Sequence, residues 1–183
     1  MEAIAKVCKA SNTWLHVDGA YGAPVARLSE FEWVRKGVAS VDSLSIDPHK
    51  WLFAPIGVGC LLLRDEAQAK AHFQMNADYT KVRQTDPSET HAFFDLGFEL
   101  SRPNRALKFW AILKTHGIDR LVQILEGQIE LRRYLQGLLE AEERIEVLGA
   151  GLSAVCFRYL PAADATERQI GAANNRLLES LSL

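Results

Sequence analysis

The chain is 183 residues long, 48% apolar, and carries a formal net charge of −2. That length supports a real hydrophobic core, and that apolar share excludes a disordered chain. The near-balanced charge leaves no basic field to attract nucleic acid.

Three cysteines occur, Cys8, Cys60 and Cys156, with no CxxC spacing. An odd count argues against a disulfide framework or a zinc site and fits a reducing cytoplasm. Cys60 and Cys156 lie in apolar runs and read as small core residues. The first ten residues hold an early acid and no long apolar stretch, so they do not read as a signal peptide. The longest nearly unbroken apolar run has thirteen residues, between Lys50 and Arg64. A membrane-spanning helix needs about twenty.

In chain order, residues 2–10 predict the last turns of an amphipathic helix, with Ile4, Val7 and Cys8 on one face and Asn12 as its breaker. Residues 14–17 predict a short buried strand. Residues 30–36 predict a helix with Phe31 and Val34 inward. Strands are expected over 43–46 and 58–63. Short apolar strands between helical segments imply a parallel or mixed sheet covered on both faces. A helix begins near Asp65, and residues 76–89 predict a long polar surface loop. Residues 101–115 are expected to be helical, stopped by Gly117, and Asp119 caps a second helix that reaches Ala141. Leu121, Val122, Leu125, Ile129 and Leu139 give that helix a core face. Two strands, over 145–148 and 152–159, and a final amphipathic helix over 166–181 complete the chain.

Two strand ends carry reactive groups. Trp14-Leu15-His16-Val17-Asp18-Gly19-Ala20-Tyr21-Gly22 places one acid before small residues that admit a flat ligand. Asp42-Ser43-Leu44-Ser45-Ile46-Asp47-Pro48-His49-Lys50-Trp51 ends its apolar run at Pro48 and presents His49 and Lys50. A lysine on a buried segment can lose its proton and attack a carbonyl. An acid that keeps a pyridine nitrogen protonated, with such a lysine, is what pyridoxal phosphate asks of a protein. A turn aspartate and a solvated lysine are the plainer alternatives. His16 and Asp18 share a strand face, but too few further ligands are at hand for a metal. Gly57-Val58-Gly59 lacks the third glycine of a nucleotide loop.

The HVDGAYG and DSLSIDPHKW segments, with Asp18 and Lys50 thirty-two residues apart, resemble the group II pyridoxal-phosphate decarboxylases of aromatic amino acids, glutamate and histidine. The resemblance implies an α/β fold of fold-type I. Residues 1–118 would be part of the large cofactor-binding domain, with a mixed, mostly parallel sheet, and 119–183 part of a small α+β domain. It implies pyridoxal 5'-phosphate as cofactor and Lys50 as its Schiff-base lysine. Asp18 would be the partner of the ring nitrogen, and Ala20 the small residue under the ring. His49 is placed near the phosphate and Lys50, or is a hydrogen-bonded structural histidine; Ser45 and Asp47 could touch the phosphate side. Tyr79, in the polar loop, matches a tyrosine that returns a proton to the substrate carbon after carbon dioxide leaves. Relatives that make aldehydes carry phenylalanine there. Arg102, Arg105, Leu107, Lys108 and Trp110 match an Arg-rich helix start, read as helix and interface packing.

The implied activity is decarboxylation of an L-amino acid, with aromatic substrates favoured, by a cytoplasmic homodimer with a shared active site. No nucleic acid or membrane partner is implied. The family's Ser/Gly-rich phosphate loop and ring-stacking histidine are not found in these residues. The expectation is therefore the latter half of a decarboxylase, cut short at both ends; the alternative is a non-catalytic fragment or a subunit that only dimerises.

Overall fold

A computed structural model describes residues 1–73 and 93–181. Helix α1 (Glu2–Ala10) has its acid in the first turn and its lysine in the last, complementing the helix dipole. Asn12 leaves the helical region at φ 50°. Ile4 and Val7 are exposed, so the apolar face of α1 is not covered by the described residues.

Three short strands follow: β1 (His16–Asp18), β2 (Ser43–Ile46) and β3 (Cys60–Leu63). They form one mixed sheet in the order β1-β2-β3. β1 runs parallel to β2 in the register His16↔Ser43, Val17↔Leu44 and Asp18↔Ser45, and β3 is antiparallel to β2. The sheet is mixed, as expected, but Leu61 and Leu62 on β3 are exposed.

β1 starts two residues later than expected because Leu15 is diverted. Its N–H donates to the Asp42 carboxylate at 2.8 Å, and its carbonyl accepts from Asp42 N–H at 2.9 Å. β3 also starts late. Gly57 sits at φ 90°, and the Val58 carbonyl is taken by the His49 ring.

The connections place helices against this sheet. Two 3-10 turns (Ala23–Arg27 and Ser29–Phe31) lead into α2 (Glu32–Val38). Ala23, Val41 and Leu44 are buried together, with Leu15, Val17, Val38 and Ile46 packed on them. Arg64 holds the far edge, donating to the carbonyls of Val41 (2.7 Å) and Ala39 (2.6 Å). α3 (Glu66–Phe73) follows.

Helix α4 (Ala106–Glu140) begins five residues after the expected start. Pro103 disfavours helical backbone in the residue before it, so residues 101–105 cannot extend the helix smoothly. Gly117, at φ 73° and ψ 162°, interrupts α4, and the chain divides there into two compact units, Met1–Gly117 and Ile118–Leu183.

In the second unit, Leu121, Leu125 and Ile129 are each 2% exposed, the i, i+4, i+8 stripe expected of a core face. β4 (Ile145–Gly151) and β5 (Ala154–Tyr159) pair as an antiparallel hairpin. Its turn is tied to α4 by Arg132, which donates to the Leu152 carbonyl at 3.2 Å. α5 (Glu167–Leu181) opens on a reciprocal cap. Thr166 N–H donates to Gln169 Oε1 at 2.9 Å, and Gln169 N–H donates to Thr166 Oγ1 at 3.4 Å. Asn174 stitches α5 to the edge of β5. Its side chain accepts from Tyr159 N–H and donates to Tyr159 O, both at 2.9 Å. Cys156, expected in the core, is exposed, as is its neighbour Phe157 on the other face of β5: the two-stranded hairpin leaves both faces partly uncovered by the described residues.

Candidate active site

The site is built at the ends of β1 and β2, which lie side by side and point the same way. Parallel pairing therefore brings Asp18, at the end of β1, beside Ser45, one residue before the end of β2. The period of two puts His16 and Asp18 on one face of β1, with Ser43 and Ser45 as their register partners.

Both rungs of this polar ladder are bonded. The Ser43 hydroxyl accepts from Trp14 Nε1 and meets His16 Nδ1, each at 2.8 Å. Ser45 Oγ donates to Asp18 Oδ1 at 3.0 Å, and Ala20 N–H donates to the same oxygen at 3.0 Å. The Ala20 amide and the Ser45 hydroxyl hold the Asp18 carboxyl below the usual aspartate range, and the charges of Lys50 and His16 push the same way. Among the described residues both hydrogen bonds to this carboxylate fall on Oδ1, which leaves Oδ2 for an external donor. An ionised aspartate with one oxygen anchored and one available fits the protonated nitrogen of a pyridine ring.

Gly19 permits the approach. A Cβ there would lie 2.7 Å from Ala23 Cβ, 2.7 Å from Leu44 Cδ1 and 3.0 Å from Ser45 O. Its N–H donates to Ser45 O at 3.1 Å, and Asp47 N–H donates to Ala20 O at 3.0 Å. The two loops are thus laced together beyond the last strand pair.

Lys50 lies in the turn after β2. Its neighbours Pro48, Trp51 and Leu52 are buried, as expected of a lysine on a buried segment, while its own side chain is 43% exposed. The ammonium meets Asp47 Oδ2 at 3.0 Å. Asp47 thereby orients Lys50. Ser45 likewise serves Asp18 in this structure. His49 Nδ1 donates to Val58 O at 2.6 Å, which fixes the orientation of the ring. Ala20 is half-buried next to the Asp18 loop. Tyr79 lies outside the described residues.

The Arg-rich segment takes backbone bonds. Arg102 donates to the carbonyls of Phe93 and Glu99, and Lys108 Nζ reaches Ile56 O at 2.9 Å. Leu107 and Trp110 are exposed. Sequence reasoning missed the support that Ser45 gives Asp18, and it missed the parallel stack of Tyr21 on Trp51. The signal for Ser45 was present in the strand alternation of Ser43 and Ser45. Among the described residues no group of His, Cys, Asp or Glu could hold a metal, and no helix is long and apolar enough to cross a membrane.

The model of the pyridoxal-dependent decarboxylase conserved domain matches residues 1–160. The chain belongs to this family. An aromatic-L-amino-acid decarboxylase of Bacillus atrophaeus is 35% identical over 98% of this chain and 38% of its own length. A tryptophan decarboxylase of Oryza sativa subsp. japonica is 32% identical over 98% of this chain and 36% of its own. Among solved structures, Oryza sativa TDC with PLP and tryptamine superposes with a TM-score of 0.91, at 32% identity, over 98% of this chain and 37% of that one. The fold is the fold-type I arrangement of these enzymes, seen here in part, and pyridoxal phosphate is the family's cofactor. The chain spans a little over a third of the length of the curated relatives it matches.

Proposed function

We propose that the protein is a pyridoxal-phosphate-dependent carboxy-lyase that converts an aromatic L-amino acid to its amine and carbon dioxide. These residues would supply the acid and the lysine of its site. The observation that carries this reading is the Asp18 carboxylate, anchored through Oδ1 by Ala20 and Ser45, on the strand beside β2, whose following turn carries Lys50. Relatives named for aromatic amino acids, tyrosine and tryptophan support the substrate class.

When bound, pyridoxal phosphate supplies the electron sink that makes loss of the carboxylate feasible. The chain's own residues do the rest. Asp18 Oδ2 would accept the ring N–H and keep that proton in place. Ala20 and Ser45 keep Asp18 ionised and aimed. Lys50 Nζ, oriented by Asp47, would be the amine that holds the cofactor's aldehyde. His49 braces the loop after Lys50 through Val58, and its Nε2 is available to the cofactor side. Tyr79 returns the proton to the substrate carbon. By resemblance the protein acts in the cytoplasm as a homodimer, with Tyr79 serving the partner's site.

Borohydride reduction of the whole protein with pyridoxal phosphate tests the assignment. The pyridoxyl group is expected on Lys50 and not on Lys6, Lys36 or Lys108. Even labelling of surface lysines sinks it.

A further inference from the structure

Two aromatic residues of the motif segments have no role in the site as described so far. Tyr21 follows Asp18 by three residues, and Trp51 follows Lys50 by one. Their rings stack face to face, with centroids 4.6 Å apart and planes 3° from parallel. Trp51 is 2% exposed, while Tyr21 lies over it at 38%.

The surrounding bonds give this stack a task. The Lys50 turn is closed on itself by Lys50 N–H to Asp47 O (2.9 Å), Phe53 N–H to Lys50 O (3.3 Å) and Ala54 N–H to Pro48 O (2.9 Å). Those bonds preserve the turn's shape but do not attach it to the Asp18 loop. The backbone attachments, Gly19 to Ser45 and Asp47 to Ala20, end at Asp47, three residues before the lysine. Beyond that point the described side chains make one ring-on-ring link between the two loops, Tyr21 on Trp51. His49 ties the turn to Val58 on the β3 side, and the flat ring pair, which cannot slide far without losing its contact, ties it to the Asp18 loop.

We propose that Tyr21 and Trp51 form a clip that sets where Lys50 stands relative to Asp18, and so are positioning residues for covalent capture of the cofactor. The proposal rests on the roles given above to Asp18 and Lys50. The chemistry needs that spacing, since one end of the cofactor ring meets Asp18 while the aldehyde must meet Lys50 Nζ. An error of about 1 Å in such a placement can cost a hundredfold in rate.

The test uses the whole protein and needs no turnover. Pyridoxal phosphate is added without amino acid, and samples are quenched with borohydride at timed intervals. Lys50 Nζ condenses with the aldehyde carbon and releases water; hydride then reduces the C=N bond to a stable C–N bond. The rate of Lys50 labelling is read by peptide mapping, with thermal melting followed alongside. Tyr21→Leu keeps apolar cover on Trp51 but removes the flat ring, and is expected to slow labelling about tenfold or more. Tyr21→Phe keeps the ring and is expected to label at the unmutated rate. Tyr21→His, which also keeps a planar ring, serves as the second variant if the leucine protein does not fold, and is expected to label faster than a ringless variant, Tyr21→Met. A merely structural role would lower the melting temperature of Tyr21→Leu and leave the labelling rate unchanged, and that result overturns the clip alone. Equal slowing in Tyr21→Phe and Tyr21→Leu also overturns it, because the hydroxyl would then be the active part. Absence of label on Lys50 in the unmutated protein overturns the reading of the site, and the clip with it.

Discussion

At the scale of single residues, the Asp18 carboxyl carries most of the argument. Its two hydrogen bonds form best with the ionised form, so the folded state holds it below the usual aspartate range. The linkage then has a definite sign. A carboxyl with a lowered folded pKa stabilises the fold above the unfolded value, about 3.9, and that contribution is lost as the pH falls through the folded one. Asp18→Asn should therefore differ from the unmutated protein in denaturant midpoint at neutral pH. The gap should shrink as the pH is lowered through the range in which aspartate titrates. A gap independent of pH would show that the charge is not the source. For activity of the whole protein, the same substitution should cost about a hundredfold to a thousandfold in turnover with the fold retained.

On the role proposed for Tyr79, Tyr79→Phe in the whole protein should divert product from amine toward aldehyde, with molecular oxygen as the oxidant, because no positioned acid then returns the proton. Product analysis decides, and an unchanged amine yield removes Tyr79 from the chemistry. The cysteines give a control on the fold itself. Burial pushes the Cys60 thiol up, while Cys156 is exposed. Iodoacetamide in mildly alkaline buffer should modify Cys156 before Cys60, as followed by mass spectrometry.

At the scale of elements, the close approach at Gly19 decides how β1 meets β2. Gly19→Ala would press a methyl against Ala23 Cβ and Leu44 Cδ1, both of which belong to packed segments that cannot swing aside. Overpacking of that kind costs about 1–3 kcal/mol. Thermal melting should show the loss, together with weaker cofactor capture, since the Asp18 loop must shift. In the second unit, Thr166→Ala removes one half of the reciprocal cap on α5 and should cost about 1 kcal/mol. Chemical denaturation measures it, and no change would mean that the contacts of Asn174 and of Glu167 with β5 hold the helix without the cap.

At this scale the strand β2 was legible to the residue, because Ser43-Leu44-Ser45-Ile46 alternates and ends at a proline. The starts of β1, β3 and α4 were not. Each was moved by a partner remote in sequence or by backbone geometry: Asp42 on Leu15, His49 on Val58, and Pro103 ahead of α4. Periodicity cannot report a side chain that captures a backbone group twenty-seven residues away.

At the scale of the whole molecule, the 183 residues by themselves should show little or no decarboxylation. They hold an acid and a lysine suited to the two ends of the cofactor ring, but not the Ser/Gly-rich loop or the stacking histidine that the resemblance implies. Robust turnover by this chain alone would mean that it holds more of the site than its motifs suggest.

The sequence alone determined which chemical groups are present and in what order: an aspartate followed by small residues, a lysine after a proline-terminated strand, and an apolar pattern consistent with a mixed sheet. Those signals are local, fixed by residue type and by the periods of strand and helix, and they sufficed to indicate the family. Tertiary structure decided how the groups work together. The parallel register brought Ser45 onto Asp18. The turn after β2 paired the Lys50 ammonium with Asp47. The stack of Tyr21 on Trp51 joined two loops thirty residues apart. Such contacts depend on distances across the sheet and between turns, which arise only when the chain closes on itself.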